Sequence, residues 1–177
     1  MGRFMKVMAL NALWLLSLSL SIGCQGDVSQ LKGRAEELTQ SMISGNFDRL
    51  IDLTYPKTVE LAGGKEKMKQ MLEKGMREMK TDGYDFISAP IGTIRDVVKI
   101  GSERFVIVEY VLKMKAPGGY LTRDSFLLGV ASIDKENWTF IDGTGLQKPE
   151  AKTVFPELFG KIEFPQLKPP VFHQSIK

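Results

Sequence analysis

The sequence has little of the chemistry on which many enzyme and metal sites depend. Its 177 residues contain one cysteine, Cys24, and one histidine, His173. A single cysteine cannot form an internal disulfide, and these two residues are too few for a zinc site built from cysteine and histidine. A nucleophile that needs a histidine partner would have to recruit His173 from the C-terminal stretch. We therefore expect no bound metal and no cofactor.

A strong charge of one sign is also missing. The chain has 24 basic and 21 acidic residues, but Arg3 and Lys6 belong to an apolar leader that contains no acidic residue. Without these two, 22 basic residues stand against 21 acidic ones, a net charge of about +1. Binding to nucleic acid depends on clustered positive charge. We therefore expect no nucleic-acid partner.

The beginning of the chain has the pattern of an export signal. Arg3 and Lys6 supply positive charge, and an apolar stretch over residues 8–22 follows them. This stretch is short and contains one asparagine and three serines, whereas a transmembrane helix needs about 20 apolar residues. The pattern predicts a signal peptide over residues 1–23 and a short tether over residues 24–27.

The end of this leader, Leu20-Ser21-Ile22-Gly23-Cys24, resembles the lipobox of bacterial lipoproteins. The resemblance implies a thioether-linked lipid on Cys24, cleavage after Gly23 and acylation of the new amino terminus. Ser21 stands where the lipobox usually has leucine. The resemblance also implies export and a lipid anchor in the bacterial membrane, with Gln25 favouring the outer membrane if the source is Gram-negative. An ordinary cleaved signal and an uncleaved anchor helix are the alternatives.

In the remainder of the chain, the predicted helices come before the predicted strands. Apolar residues at helical spacing indicate a helix that Ser29 can cap, a short helix over residues 47–54, and a third over residues 65–80. Residues 57–61 follow the break at Tyr55-Pro56 and are interpreted as a short extended piece. The third helix carries an apolar stripe that we interpret as ordinary core; its members are Met68, Met71, Leu72, Met76 and Met79.

From Tyr84 the pattern changes to the period of two that is typical of strands. Strands are predicted at residues 84–89, 93–100, 105–115, 120–133 and 138–142. Short turns between them imply antiparallel pairing, and Gly129 is interpreted as a bulge or bend. Helices that precede an antiparallel sheet indicate an α+β domain. Residues 147–177 are rich in proline but keep many apolar side chains, so we predict an extended C-terminal arm that packs on the domain or a partner.

The order of these elements and the closing strand Trp138-Thr139-Phe140-Ile141-Asp142-Gly143 resemble the nuclear transport factor 2-like (cystatin-like) superfamily. The resemblance covers residues 28–146. It implies N-terminal helices packed on a strongly curved antiparallel sheet, which forms a cone with a pocket at its open end. Members include isomerases and dehydratases as well as non-catalytic binding, dimerising or delivery domains. The fold by itself therefore does not settle the function.

The resemblance also directs attention to pocket carboxylates, since enzymes of this superfamily place an aspartate, often with histidine or tyrosine, on the concave face. Asp124 and Tyr110 could form an acid–base pair if both face the pocket. Alternation puts Tyr110 on the more apolar face of its strand, towards the helices, but leaves the facing of Asp124 open. The alternative for Asp124 is an ion pair with Arg123 or Lys113 on the outer face.

Two further polar candidates have simple structural interpretations. Tyr55 could contact a ligand, but it is interpreted as a residue that packs at a helix end. Asp142 is interpreted as the anchor of a turn through backbone hydrogen bonds.

These features predict a membrane-anchored envelope lipoprotein with a non-catalytic domain that binds a ligand or a protein. Its partners would be the membrane, through the lipid on Cys24, and an apolar small molecule, a second copy of the chain or another envelope protein. The alternative is a pocket enzyme of the isomerase or dehydratase kind that uses Asp124, Tyr110 or Tyr55.

Overall fold

The computed structural model describes residues 23–135 and 137–175, and the side chains from Ser29 onwards. Most of the predicted signal peptide lies outside the described residues, as does the side chain of Cys24. Within the described part of the chain, no helix has both the length and the apolar character needed to cross a membrane.

The described residues form helices first and strands afterwards. The helices are α1 (Gly23–Ser44), α2 (Phe47–Leu53), α3 (Pro56–Leu61) and α4 (Lys65–Thr81). The strands are β1 (Asp85–Ser88), β2 (Ile91–Ile94), β3 (Val98–Ile100), β4 (Glu103–Ala116), β5 (Gly119–Ser132) and β6 (Thr139–Asp142). Short helices α5 (Gly143–Leu146) and α6 (Ala151–Val154) and strand β7 (Val171–Gln174) come last. The predicted α+β class, with helices before an antiparallel sheet, is confirmed.

Several boundaries differ from the prediction. Residues 57–61 are not extended but belong to α3, which begins at Pro56. Proline suits the first helical position, because its fixed φ is already helical and its missing N–H has no partner there. Helix α1 already includes Gly23, the first described residue, whereas the prediction placed its cap at Ser29. The strand predicted over residues 93–100 is divided into β2 and β3.

The sheet is organised around one long hairpin. Strands β4 and β5 pair along their full lengths, from Glu103 opposite Ser132 to Ala116 opposite Gly119. Strands β1, β2 and β3 pair in turn along the other edge of β4, while β6 and β7 pair with opposite ends of β5. All these pairings are antiparallel, and the sheet is strongly curled, as predicted.

Both faces of the sheet carry a layer of buried apolar side chains. Residues of β4 and β5 on the face that we call inner pack against α1 and α2; they are Val106, Val108, Tyr110, Leu127 and Ala131. The alternate residues form an outer face that packs against the segment after β6, through Leu146, Phe155, Leu158 and Ile162. Burying one such aliphatic or aromatic side chain contributes about 1.5–3 kcal/mol. The C-terminal segment therefore supplies the second of two apolar layers.

Gly129 lies in unbroken pairing rather than at a bulge. It is opposite Val106 in β4 and opposite Phe140 in β6. A Cβ at this position would lie 2.9 Å from Val106 Cγ1 and 3.2 Å from Leu31 Cδ1. The glycine therefore allows α1 to approach the inner face closely.

Candidate functional site

An apolar cavity of about 350 Å³ lies between the helices and the inner face of the sheet. Ligand pockets in proteins commonly measure about 300–1,000 Å³. The apolar lining comes from every layer around it: Leu38 and Met42 of α1, Phe47 and Leu50 of α2, the stripe of α4, and Phe86, Leu127 and Phe140 of the sheet. The cavity is large enough for a small organic molecule.

Helix α4 is a wall of this cavity rather than a part of the core. None of its 17 residues is buried, and 59% of the surface of Met71 is exposed. The predicted stripe of four methionines and Leu72 lines the cavity, and Leu72 also packs against the core cluster. The interpretation of this stripe as ordinary core is therefore wrong. Its helical periodicity is real, but most of it faces space that no side chain fills.

Few strong interactions attach α4 to the rest of the domain. Lys65 Nζ lies 2.6 Å from Asp52 Oδ1, and Lys69 Nζ lies 2.7 Å from Asp48 Oδ1, both on the surface of α2. Exposed ion pairs of this kind contribute little to stability. The turn before α4 contains Gly64 with a φ of 96°, which is a backbone conformation that favours glycine. Helix α4 is thus the least buried wall of the cavity.

The hydroxyl groups of three threonines interrupt the apolar lining. Thr39 Oγ1 donates to the Glu36 carbonyl at 3.0 Å, and Thr54 Oγ1 donates to the Leu50 carbonyl at 2.8 Å. Thr58 Oγ1 is buried and has no hydrogen-bond partner among the described residues. Buried polar atoms are usually paired, and this one is unpaired although Thr58 lines the cavity.

Tyr110 is the buried titratable residue of the lining, with 5% of its surface exposed. Burial raises the pKa of its phenol to about 12, and the negative charge of Asp142 acts in the same direction. A hydrogen bond with Ser125 opposes the shift. At neutral pH the phenol therefore keeps its proton, so it can donate a hydrogen bond but cannot serve as a base.

Asp142 lies at the end of β6, where it also lines the cavity. Its Oδ1 accepts a hydrogen bond from the backbone N–H of Thr144 at 2.7 Å and caps α5. The predicted role as a turn anchor is confirmed. Among the described residues that line the cavity, Asp142 is the one that carries a charge.

The structure does not bring Asp124 and Tyr110 together. Asp124 is opposite Val111 in the hairpin, and Tyr110 is opposite Ser125. Successive side chains of a strand point to opposite faces, so Tyr110 faces inwards, as predicted, while Asp124 belongs to the outer face and is exposed. The hypothesis of an acid–base pair between them is wrong in that form.

The predicted ion-pair partners of Asp124 make other contacts. Arg123 Nη2 donates to Thr144 Oγ1 at 2.6 Å. The Nζ of Lys113 lies 4.1 Å from the centre of the Tyr120 ring. The prediction that Asp124 lies exposed on the outer face is therefore confirmed, but its predicted ion pair with Arg123 or Lys113 is not.

Tyr55 is part of the packing on the outer face and does not line the cavity. Its hydroxyl donates to Glu103 Oε1 at 3.1 Å, and its ring centre lies 6.4 Å from that of Phe155. Burial raises the pKa of its phenol to about 12, with the Glu103 carboxylate as the second cause. The three tyrosine and aspartate candidates are consequently divided between the two faces of the sheet.

These observations define the class of the protein: an α+β domain with an apolar cavity between its helices and a strongly curled antiparallel sheet. Comparison of the chain with family models, with curated proteins and with solved structures gave no match. The described residues contain no group of three or more histidine, cysteine or acidic side chains that could hold a metal ion.

The resemblance implied a pocket, but sequence reasoning did not predict that the stripe of α4 lines it, although one signal pointed to this. Four of the five stripe residues of α4 are methionine, which adapts to irregular partners better than leucine does. Gly75 lies in the middle of the same helix, lines the cavity, and has nothing within 4 Å of its Cβ position. Methionines combined with a glycine on one helix face indicate an incompletely filled interface.

Proposed function

We propose that this protein is a membrane-anchored envelope lipoprotein whose nuclear transport factor 2-like domain binds an apolar small molecule without transforming it. One observation carries the proposal: a cavity of ligand size is walled by a long helix that has no buried residue. A bound molecule would give the stripe of α4 the apolar contacts that it otherwise lacks. Each methylene transferred from water into such a site contributes about 0.8 kcal/mol.

The polar groups of the cavity favour binding over catalysis. Tyr110 holds its proton at neutral pH, and one oxygen of Asp142 is engaged by the Thr144 N–H. Asp124, the carboxylate required by the isomerase alternative, belongs to the opposite face of the sheet.

Binding is tested with the neutral apolar dye N-phenyl-1-naphthylamine and the chain from residue 24 carrying Cys24→Ser, so that no detergent competes. We expect saturable fluorescence enhancement. Gly75→Phe places a ring in the cavity wall and is expected to raise the Kd at least about tenfold, since it removes several dye contacts. Replacing a mid-helix glycine also favours the helix, so the variant should remain folded.

The matched control is Gly33→Phe in α1. Gly33 is likewise in mid-helix, has nothing within 4 Å of its Cβ position, and does not line the cavity. Its dye affinity should equal that of the parent chain. A parent chain that does not bind the dye, or equal affinities in the two phenylalanine variants, would rule out the cavity as the binding site.

The anchor is proposed from the lipobox resemblance at Cys24. Mass spectrometry of the mature amino terminus is expected to find a diacylglycerol thioether on this cysteine and an acylated amine. Membrane fractionation should then show Cys24→Ala in the soluble fraction or as uncleaved precursor. An unmodified thiol at residue 24, or an amino terminus elsewhere, would refute the anchor and leave ligand binding unaffected.

A further inference from the structure

We propose that the cavity selects apolar molecules whose polar end carries no negative charge, and that the carboxylate of Asp142 sets this preference. The inference rests on the proposed binding of a ligand in this cavity. It adds the chemical class of the ligand and names the residue that discriminates.

One charged side chain lies in the wall of this cavity. Asp142 is the charged residue among the described residues that line an otherwise apolar and hydroxyl-bearing cavity. The hydrogen bond from the Thr144 N–H to its Oδ1, at 2.7 Å, holds the carboxylate in place at the start of α5. An aspartate in this position satisfies a backbone N–H that the first turn of the helix leaves without a partner.

The charge of this carboxylate acts on a buried residue of the cavity lining. The charge of Asp142 contributes, after burial, to the raised pKa of Tyr110. Arg123 acts on the same phenol in the opposite direction but more weakly, and it does not line the cavity. The lysines of α4 that face α2, Lys65 and Lys69, are paired with Asp52 and Asp48. Of the charged groups that act on the Tyr110 phenol, the exposed carboxylate of Asp142 has the larger effect.

An anionic ligand has no favourable orientation in such a site. If its charged end points into the apolar part, it loses hydration among methionine and phenylalanine side chains. If that end points towards Asp142, two negative charges meet. A hydroxyl end can instead donate to the carboxylate, and an ammonium end is attracted.

The test compares three molecules of equal chain length: dodecylamine, dodecanol and dodecanoate. Each displaces N-phenyl-1-naphthylamine from the Cys24→Ser chain at pH 7 and low ionic strength, below its critical micelle concentration. Two unit charges about 4 Å apart in water interact by about 1 kcal/mol, which is about fivefold in affinity. We expect the order amine, alcohol, carboxylate, with about threefold to tenfold between the last two.

Asp142→Asn removes the charge and keeps a good capping residue. In this variant dodecanoate should bind within about twofold of dodecanol, while the affinity for dodecanol stays as in the parent. Asp124→Asn removes a carboxylate from the outer face and should leave the original order unchanged. High salt should weaken the preference in the parent chain.

The outcomes separate this inference from the proposed function. Equal affinities for the three molecules in the parent, an unchanged preference in Asp142→Asn, or an equal loss in Asp124→Asn would overturn the role of Asp142 while ligand binding stands. Failure of the parent chain to bind the dye or any of the three molecules would refute both.

Discussion

The substitution Met76→Ala in α4 should cost little stability, although Met76 belongs to a regular apolar stripe. In a packed core, replacing methionine by alanine costs about 2–5 kcal/mol, because the transfer free energy is lost and a new cavity is left. Met76 is only partly buried and already faces the cavity. Alanine also has the higher helix propensity. We expect the free energy of unfolding to fall by less than about 1 kcal/mol.

The matched reference is Leu31→Ala in α1, which also truncates a large apolar side chain on a helix. Only 1% of the surface of Leu31 is exposed, and it packs in the core cluster with Val106 and Trp138. Leu31 does not line the cavity, and its Cδ1 lies over Gly129, 3.2 Å from the position that a Cβ would take there. The expected loss is about 3 kcal/mol, within the range for core leucines.

Urea unfolding measures both values with one probe. The chain has two tryptophans, Trp14 in the leader and Trp138, which is fully buried, so the fluorescence of the mature chain reports on Trp138. A change in midpoint at constant m-value gives the difference in stability. If Met76→Ala loses as much free energy of unfolding as Leu31→Ala, α4 is a core helix and the proposed cavity function is refuted.

Three further predictions concern two closely packed glycines and the buried phenol of Tyr110. Gly129→Ala should lower the free energy of unfolding by about 1–3 kcal/mol, because its Cβ would crowd Val106 and Leu31; unchanged stability in urea would contradict the close approach of α1. Gly119→Ala should displace β7, since its Cβ would overlap the His173 carbonyl oxygen. Hydrogen exchange should then show faster amide exchange in β7, while the amides of α1 keep their protection. Continued protection of the β7 amides would show that the contact is not tight. The free energy of unfolding should be independent of Tyr110 below pH 10 and should fall from about pH 10 to about pH 12, since the native phenol keeps a proton that the unfolded chain releases. Tyr55 has the same raised pKa of about 12 and contributes a similar fall, so Tyr110→Phe should reduce the fall in alkaline urea titrations by about half; an equally steep fall in the variant would mean that the native phenol of Tyr110 titrates normally.

Much of the fold follows from periodicity alone. The helical spacing of apolar residues placed α4 within one residue of its observed end, and alternation located the long strands β4 and β5. Short turns between successive strands leave antiparallel pairing as the simple solution. These are local properties, since each depends on residues only a few positions apart.

Other local signals were misread because two principles compete at the same residue. Proline at position 56 both ends α2 and suits the first turn of α3, and the structure contains the helix. A glycine inside a strand, such as Gly129, often marks a bulge, but here it makes room for Leu31 of α1. Which of the two structural interpretations is right depends on contacts with residues that are far away in sequence.

The sequence by itself determined which side chains share a face of each strand and that α4 has one apolar face. Only the tertiary structure decided that Asp124 belongs to the outer face while Tyr110 and Asp142 line the cavity, and that the stripe of α4 faces unfilled space. The physical reason is that alternation specifies relative facing but not which face meets the helices. Likewise, an apolar stripe has the same sequence whether its partner is a packed core or a cavity.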